Sequence, residues 1–185
     1  MIKSEVSVII KIRDVHTSDK WNTDGKAPLS LDMHVPFIED SAPSRARRRI
    51  NRYYSHLSKK LKNYCRSIAG SGDAGAYCLS YTVTRDDGEA LSIYCDIFRD
   101  GVLCGRLACT WDVSSGYPLP LSHFTALSRS AIINFISQSD SSCSKKRLRR
   151  FFDPDNFYVC EDCVRIYYQP MSLYRGIAVF RFEAV

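Results

Sequence analysis

The 185-residue chain has no long apolar run. Its N-terminal hydrophobic stretch, Val6-Ser-Val-Ile-Ile10, is interrupted at once by Lys11, Arg13 and Asp14. That is too short for a secretory signal, and no small-residue cleavage site follows it. Nothing approaches the roughly 20 apolar residues of a membrane span. As it stands the sequence reads as cytoplasmic; it would be extracytoplasmic if an anchor had been trimmed from it. Nucleotide-binding glycine loops are missing too. Gly70-Ser-Gly72 and the pair Gly101 and Gly105 lack the spacing of a Walker loop or a dinucleotide fingerprint. No serine sits in a nucleophile elbow. The histidines, His16, His34, His56 and His123, are too widely separated for a metal motif. His56, beside Leu57, reads as a boundary residue rather than a base, and Asp86, Asp87 and Glu89 are explained by a turn. No catalytic residue is assigned. An enzyme would need a carboxylate or metal site assembled only in three dimensions.

There is also no internal repeat and no linker, and the length suits one hydrophobic core. Residues 1–185 are read as a single domain, with 1–27 as an N-terminal strand and loop. Alternation predicts strands over Glu5–His16 and Leu29–Val35, with a polar loop at Thr17–Pro28 and Pro36 ending the second strand. A helix starting near Ser41–Arg45, capped by Ser41 or Ser44, places Ile50, Tyr53, Tyr54, Leu57, Leu61, Tyr64, Cys65 and Ile68 on one face. Gly70-Ser-Gly72 stops it. Three strands follow at Ala76–Arg85, Ala90–Arg99 and Val102–Val113, joined by Asp86-Asp-Gly88 and Asp100-Gly101 as an antiparallel meander. A second helix is expected from Ser122 to Ser137 with Phe124, Leu127, Ala131 and Phe135 inward. A short basic helix follows at Lys145–Phe152, then a hairpin of Phe157–Cys160 and Cys163–Gln169, then a last strand at Gly176–Phe182. The class is α+β: an antiparallel sheet, meander plus C-terminal hairpin, packed by one long amphipathic helix and one or two shorter ones.

Charge is unevenly spread. Ser41–Arg66 carries Arg45, Arg47, Arg48, Arg49, Arg52, Lys59, Lys60, Lys62 and Arg66 without an acid, and Lys145–Arg150 adds Lys145, Lys146, Arg147, Arg149 and Arg150. These fourteen are more than half of the 26 basic residues, so the remainder of the chain is net negative. A solvated helix face accounts for such a pattern. A polyanion-binding face is the sharper alternative, and it gains weight if the two patches converge. The eight cysteines pose a second choice. Cys160-Glu-Asp-Cys163 has the spacing of a zinc half-site or a redox pair, with Cys104 and Cys109 as further ligands by sequence only. A two-residue turn between them would instead make Cys160 and Cys163 packed thiols or a cross-strand disulfide. Zinc is the one cofactor this leaves open.

Several ordered segments carry a family resemblance. They are Val35-Pro-Phe-Ile38 before the basic helix, Asp112-Val-Ser-Ser-Gly116 with Leu119-Pro-Leu-Ser-His-Phe124, and the aromatic hairpin Phe157–Pro170. Over about residues 28–182 the order resembles the DUF3298 family, RsiV-like domains of mostly unknown function. These occur in the extracellular part of the lysozyme-sensing anti-sigma factor of Gram-positive bacteria and beside a peptidoglycan deacetylase domain. The glycine-glycine-alanine-histidine segment frequent in that family is replaced here by Arg99-Asp-Gly-Val-Leu-Cys-Gly105, so lysozyme sensing and its partner residues are not carried over. The resemblance implies a sensor or accessory domain that recognises a protein or small ligand. For such a partner Trp21, Trp111, Tyr167 and Tyr168 are candidate aromatic contacts, with core packing the better reading of Trp111; nucleic acid is the alternative partner.

Overall fold

A computed structural model describes residues 10–23, 26–40 and 42–183. Five strands form the main sheet: β1 (Lys11–Thr23), β2 (Lys26–Asp40), β3 (Gly75–Asp86), β4 (Ala90–Arg99) and β5 (Val102–Asp112), in that spatial order. The predicted meander β3–β4–β5 is antiparallel, and so is the β1–β2 pair. The β2–β3 pair is parallel. The intervening helix α1 (Ser44–Gly70) acts as a crossover that returns the chain to the end where β2 began. The C-terminal strands β6 (Phe157–Val159), β7 (Cys163–Tyr168) and β8 (Ala178–Glu183) make a separate antiparallel sheet. Helices α2 (Arg129–Ser139) and α3 (Lys145–Phe151) pack with it. The class is α+β, as the sequence predicts.

Period-2 alternation divides the interior into two cores. From α1, Ile50, Tyr54, Leu61 and Cys65 lie on Leu29, Leu31, Met33, Leu79, Leu91, Ile93 and Trp111. Each aliphatic side chain so buried contributes roughly 1.5–3 kcal/mol. On the other face, Ala90 joins Ile132, Ile133, Ile136, Leu148, Phe157, Val159, Val164 and Phe182. The two layers are joined by polar groups. Ser92 Oγ lies 2.9 Å from Thr110 Oγ1 and accepts from Val159 N at 2.9 Å, while Thr84 Oγ1 donates to Val159 O. Arg106 forms a two-pronged ion pair with Asp96 (2.6 and 2.7 Å) and stacks 3.9 Å from the Tyr94 ring centroid. Gln169 clamps the Arg106 backbone, accepting from its N–H and donating to its carbonyl.

Several predicted boundaries move. Val6 and Val8 of the first strand, and Ser41 as a cap, lie outside the described residues. Where Thr17–Pro28 reads as a loop, β1 instead runs to Thr23 and β2 starts at Lys26. Cross-strand pairing holds these polar residues extended. Pro36 does not end β2. The β3 partner reaches only to Met33, so Pro36 lies where one neighbouring strand remains and its missing N–H is tolerated. Just beyond, Asn51 on α1 caps the open edge, accepting from Ile38 N (2.8 Å) and donating to Ile38 O (2.9 Å). The second helix starts later than expected, at Arg129, because Ser128 accepts from Ala131 N and caps it. Its inward face is Ile132, Ile133 and Ile136; Leu127 and Phe135 are exposed. Tyr53 and Tyr64 sit at the edge of the α1 stripe and are also partly exposed.

Candidate functional site

α1 crosses one face of the β1–β2 hairpin without filling it. The gap is a cleft of about 660 Å³. Val15, Val35, Pro36 and Phe37 form its apolar floor, and Asn51, Ser55 and His56 supply polar groups from α1. Arg47, Arg48 and Arg52 form its basic rim. Arg47 donates to Glu39 O at 2.6 Å, fixing that side chain across the cleft end. Residues at i, i+3, i+4 and i+7 share a helix face. Arg45, Arg48, Arg49 and Arg52 follow this spacing and line a second hollow of about 420 Å³ that shares Arg48 and Arg52 with the cleft. Arg45 and Arg52 make no ion pair among the described residues. Arg49 is positioned by Ser115 O (2.6 Å) and the Tyr117 ring (4.0 Å).

The turn after β5 holds Arg49 in place. Asp112 Oδ1 accepts from Ser114 N, Ser114 Oγ and Ser115 N, and these bonds hold its carboxyl below the usual range, the Ser114 hydroxyl most of all. Gly116 then adopts φ +69° directly against Ala46 of α1.

The second basic patch does not join the first. Lys145, Lys146, Arg147, Arg149 and Arg150 lie on α3, whose Leu148 belongs to the core on the opposite side of the main sheet. Arg147 donates to Ser172 O, and Arg150 stacks on Phe151. Of the candidate aromatic contacts, Trp111 packs in the core as its better reading has it, Tyr167 and Tyr168 are buried as well, and Trp21 packs at the edge of the α1 core.

The cysteines are free thiols. Cys160 and Cys163 flank the predicted hairpin turn, where Cys160 N donates to Cys163 O at 2.8 Å. Cys104 sits exposed in a β5 bulge with its Sγ donating to Ile97 O, and Cys109 packs toward the α1 core. The four are not gathered into one ligand set: among the described residues the one His/Cys/Asp/Glu group with metal-ligand spacing lies elsewhere. Burial pushes the thiols upward, Cys65 to about 11 and Cys95 and Cys109 to about 12, with Cys78, Cys104 and Cys160 shifted the same way. Thiols so held are protonated at neutral pH and are weak nucleophiles.

The group with ligand spacing is His16, Asp32 and His34. It lies on the outer face of β1–β2, opposite the cleft. His16 and His34 are register partners whose rings stack with centroids 4.6 Å apart. His16 Nε2 lies 2.5 Å from Asp32 Oδ1, and His34 Nδ1 lies 2.6 Å from Asp14 Oδ2. The Asp14 hydrogen bond raises the His34 pKa above its usual value. Residue spacing does not reveal this group, because 18 positions separate the histidines. Only the hairpin register does, and Asp24-Gly25 between two alternating segments is the sequence signal that points to one.

The fold is shared with solved structures of the DUF3298 family. A DUF3298 member from Bacteroides fragilis superposes with a TM-score of 0.70 at 12% identity, covering 94% of this chain and 90% of that one. A DUF3298 protein from Pseudomonas aeruginosa gives 0.65 at 10% identity, covering 96% and 92%. The chain thus has a DUF3298-like α+β fold. No family model and no curated protein matches its sequence. Among the described residues, no helix is long and apolar enough to cross a membrane.

Proposed function

We propose that this protein is a non-catalytic binding domain of the sensor or accessory kind, with its ligand site in the cleft between α1 and the β1–β2 hairpin. The observation that carries the reading is the lining of that cleft: an apolar floor of Val15, Val35, Pro36 and Phe37 beneath a rim of Arg47, Arg48 and Arg52. Its volume falls in the range of small-ligand sites, which are mostly apolar with a few convergent polar groups. The ligand class that complements it has an apolar body and a carboxylate, sulfonate or phosphate end. Arginine suits the anionic end because its planar guanidinium pairs with such groups bidentately.

Anilinonaphthalene sulfonate, which has this chemistry, tests the reading by calorimetry. One molecule per folded chain is expected to bind saturably. Arg48→Glu with Arg52→Glu should weaken it at least tenfold, since hydrogen bonds to charged groups contribute about 1.5–3 kcal/mol each. The uncharged phenylnaphthylamine should be little affected by the same pair. Absence of saturable binding, or binding that ignores the charge reversal, would overturn the assignment.

A polyanion such as single-stranded RNA is the second reading, favoured by the four-arginine face of α1. With α3 on the other side of the sheet, this reading rests on α1. Affinity should then fall with salt and with Arg45→Glu and Arg49→Glu, but not with Lys145→Glu.

A further inference from the structure

We propose that the outer face of the β1–β2 hairpin is a divalent metal site, with His16, Asp32 and His34 as its protein ligands and zinc as the fitting ion. Three observations support it. One ligand atom from each residue lies within 4.8 Å of the other two. The residues are held by strand pairing rather than by loops, since His16 and His34 face each other across the ladder and Asp32 lies two positions from His34 on the same face. The set also has an outer partner, because Asp14 accepts from His34 Nδ1, an arrangement in which a carboxylate fixes the imidazole's tautomer and orientation.

The chemistry selects the ion. Two imidazoles and one carboxylate match the three-ligand zinc sites, whereas calcium and magnesium require oxygen donors and copper(I) prefers sulfur. Two imidazoles packed face to face beside the Asp32 carboxylate bring three ligand atoms together, with the Asp14 carboxylate behind His34. A doubly charged cation there balances both carboxylates while accepting both nitrogen lone pairs. His16 Nε2 and Asp32 Oδ1, now 2.5 Å apart, would separate to about 3.3 Å around a tetrahedral ion with bonds of about 2.0 Å. Their exposed side chains permit this: His16 and Asp32 are 54% and 51% exposed. The His34 and Asp14 side chains are 42% and 44% exposed as well, so a fourth ligand can come from solvent.

Zinc chloride titrated by calorimetry into the full, chelator-treated chain at about pH 7.5 tests the site. One ion per chain is expected. Replacing both histidines, His16→Asn and His34→Asn, should abolish binding. Asp14→Asn should weaken it roughly 10-fold to 100-fold, the usual effect of losing an outer partner. Cys160→Ser with Cys163→Ser should leave it unchanged. A cobalt-loaded sample should show no thiolate-to-metal charge transfer. Circular dichroism and retained anilinonaphthalene sulfonate binding check that the histidine variants fold with the cleft intact. No stoichiometric zinc, binding that survives the double histidine change, or binding that follows the cysteine pair would overturn the proposal.

Discussion

Replacing Gly116 by alanine tests how the turn after β5 is fitted to α1. A Cβ at this position would lie 2.4 Å from Ala46 Cα, 2.6 Å from Ala46 O and 2.9 Å from Ala46 C. All three are backbone atoms of a buried helical turn, so no side chain can swing aside. The residue also sits at φ +69°, where a Cβ costs about 1–2 kcal/mol. Forcing the turn and helix apart adds about 1–3 kcal/mol, the usual range for overpacking. The sum is about 2–5 kcal/mol, which in a chain of this length lowers Tm by roughly 4–20 °C. Urea unfolding and calorimetry measure both quantities. Adding Ala46→Gly should not rescue the variant, because the clash is with Ala46's backbone and a helical glycine costs about 1 kcal/mol more. A loss below about 1 kcal/mol, or rescue by Ala46→Gly, would refute the close approach. The same variant should displace Ser115 and Tyr117, and with them Arg49.

Other tests address the joint between the layers and the charge of buried groups. Arg106→Met leaves the Asp96 carboxylate, only 13% exposed, without its partner and should cost about 3 kcal/mol in urea unfolding, with part recovered on adding Asp96→Asn. Ser92→Ala removes the acceptor for Val159 N–H between the sheets and should cost about 1–3 kcal/mol by the same measurement. Asp86 is held above the usual carboxylate range by burial, which outweighs the hydrogen bond that Oδ2 accepts from Ile10 N. A raised native pKa means that protonation favours the folded state, so the stabilising contribution is complete below the unfolded value near 4 and lost as pH rises through the native one. Asp86→Asn should therefore melt higher than the natural protein at pH 7, and the difference should shrink as pH falls toward 4. A pH-independent difference would assign the effect to something other than this carboxyl.

Local signals were legible in the chain. The 3.6-residue rhythm from Ile50 to Ile68 marks α1, the turns at Asp86-Asp-Gly88 and Asp100-Gly101 mark the meander, and Glu161-Asp162 marks the last hairpin. These depend on periodicity and turn chemistry within a few residues. The start of α2 was less legible, because Ser122 and Ser128 are both competent caps and packing of Ile132, Ile133 and Ile136 decides between them. The polar residues of Thr17–Thr23 gave no sign of a strand, since their extended form is stabilised by β2 rather than by their own sequence.

By itself the sequence determined the α+β class, the long basic helix and the charge of the groups that any ligand would meet. Tertiary structure alone decided which of those groups meet. It put α1 and α3 on opposite sides of one sheet, separating two basic patches that composition counts together. It opened a cleft under Arg47, Arg48 and Arg52, because a helix crossing a twisted hairpin cannot fill all of the surface it spans. It also brought His16 onto His34 through strand register. Periodicity is local to a segment, whereas register and layer order are set by long-range burial, and both candidate sites depend on the latter.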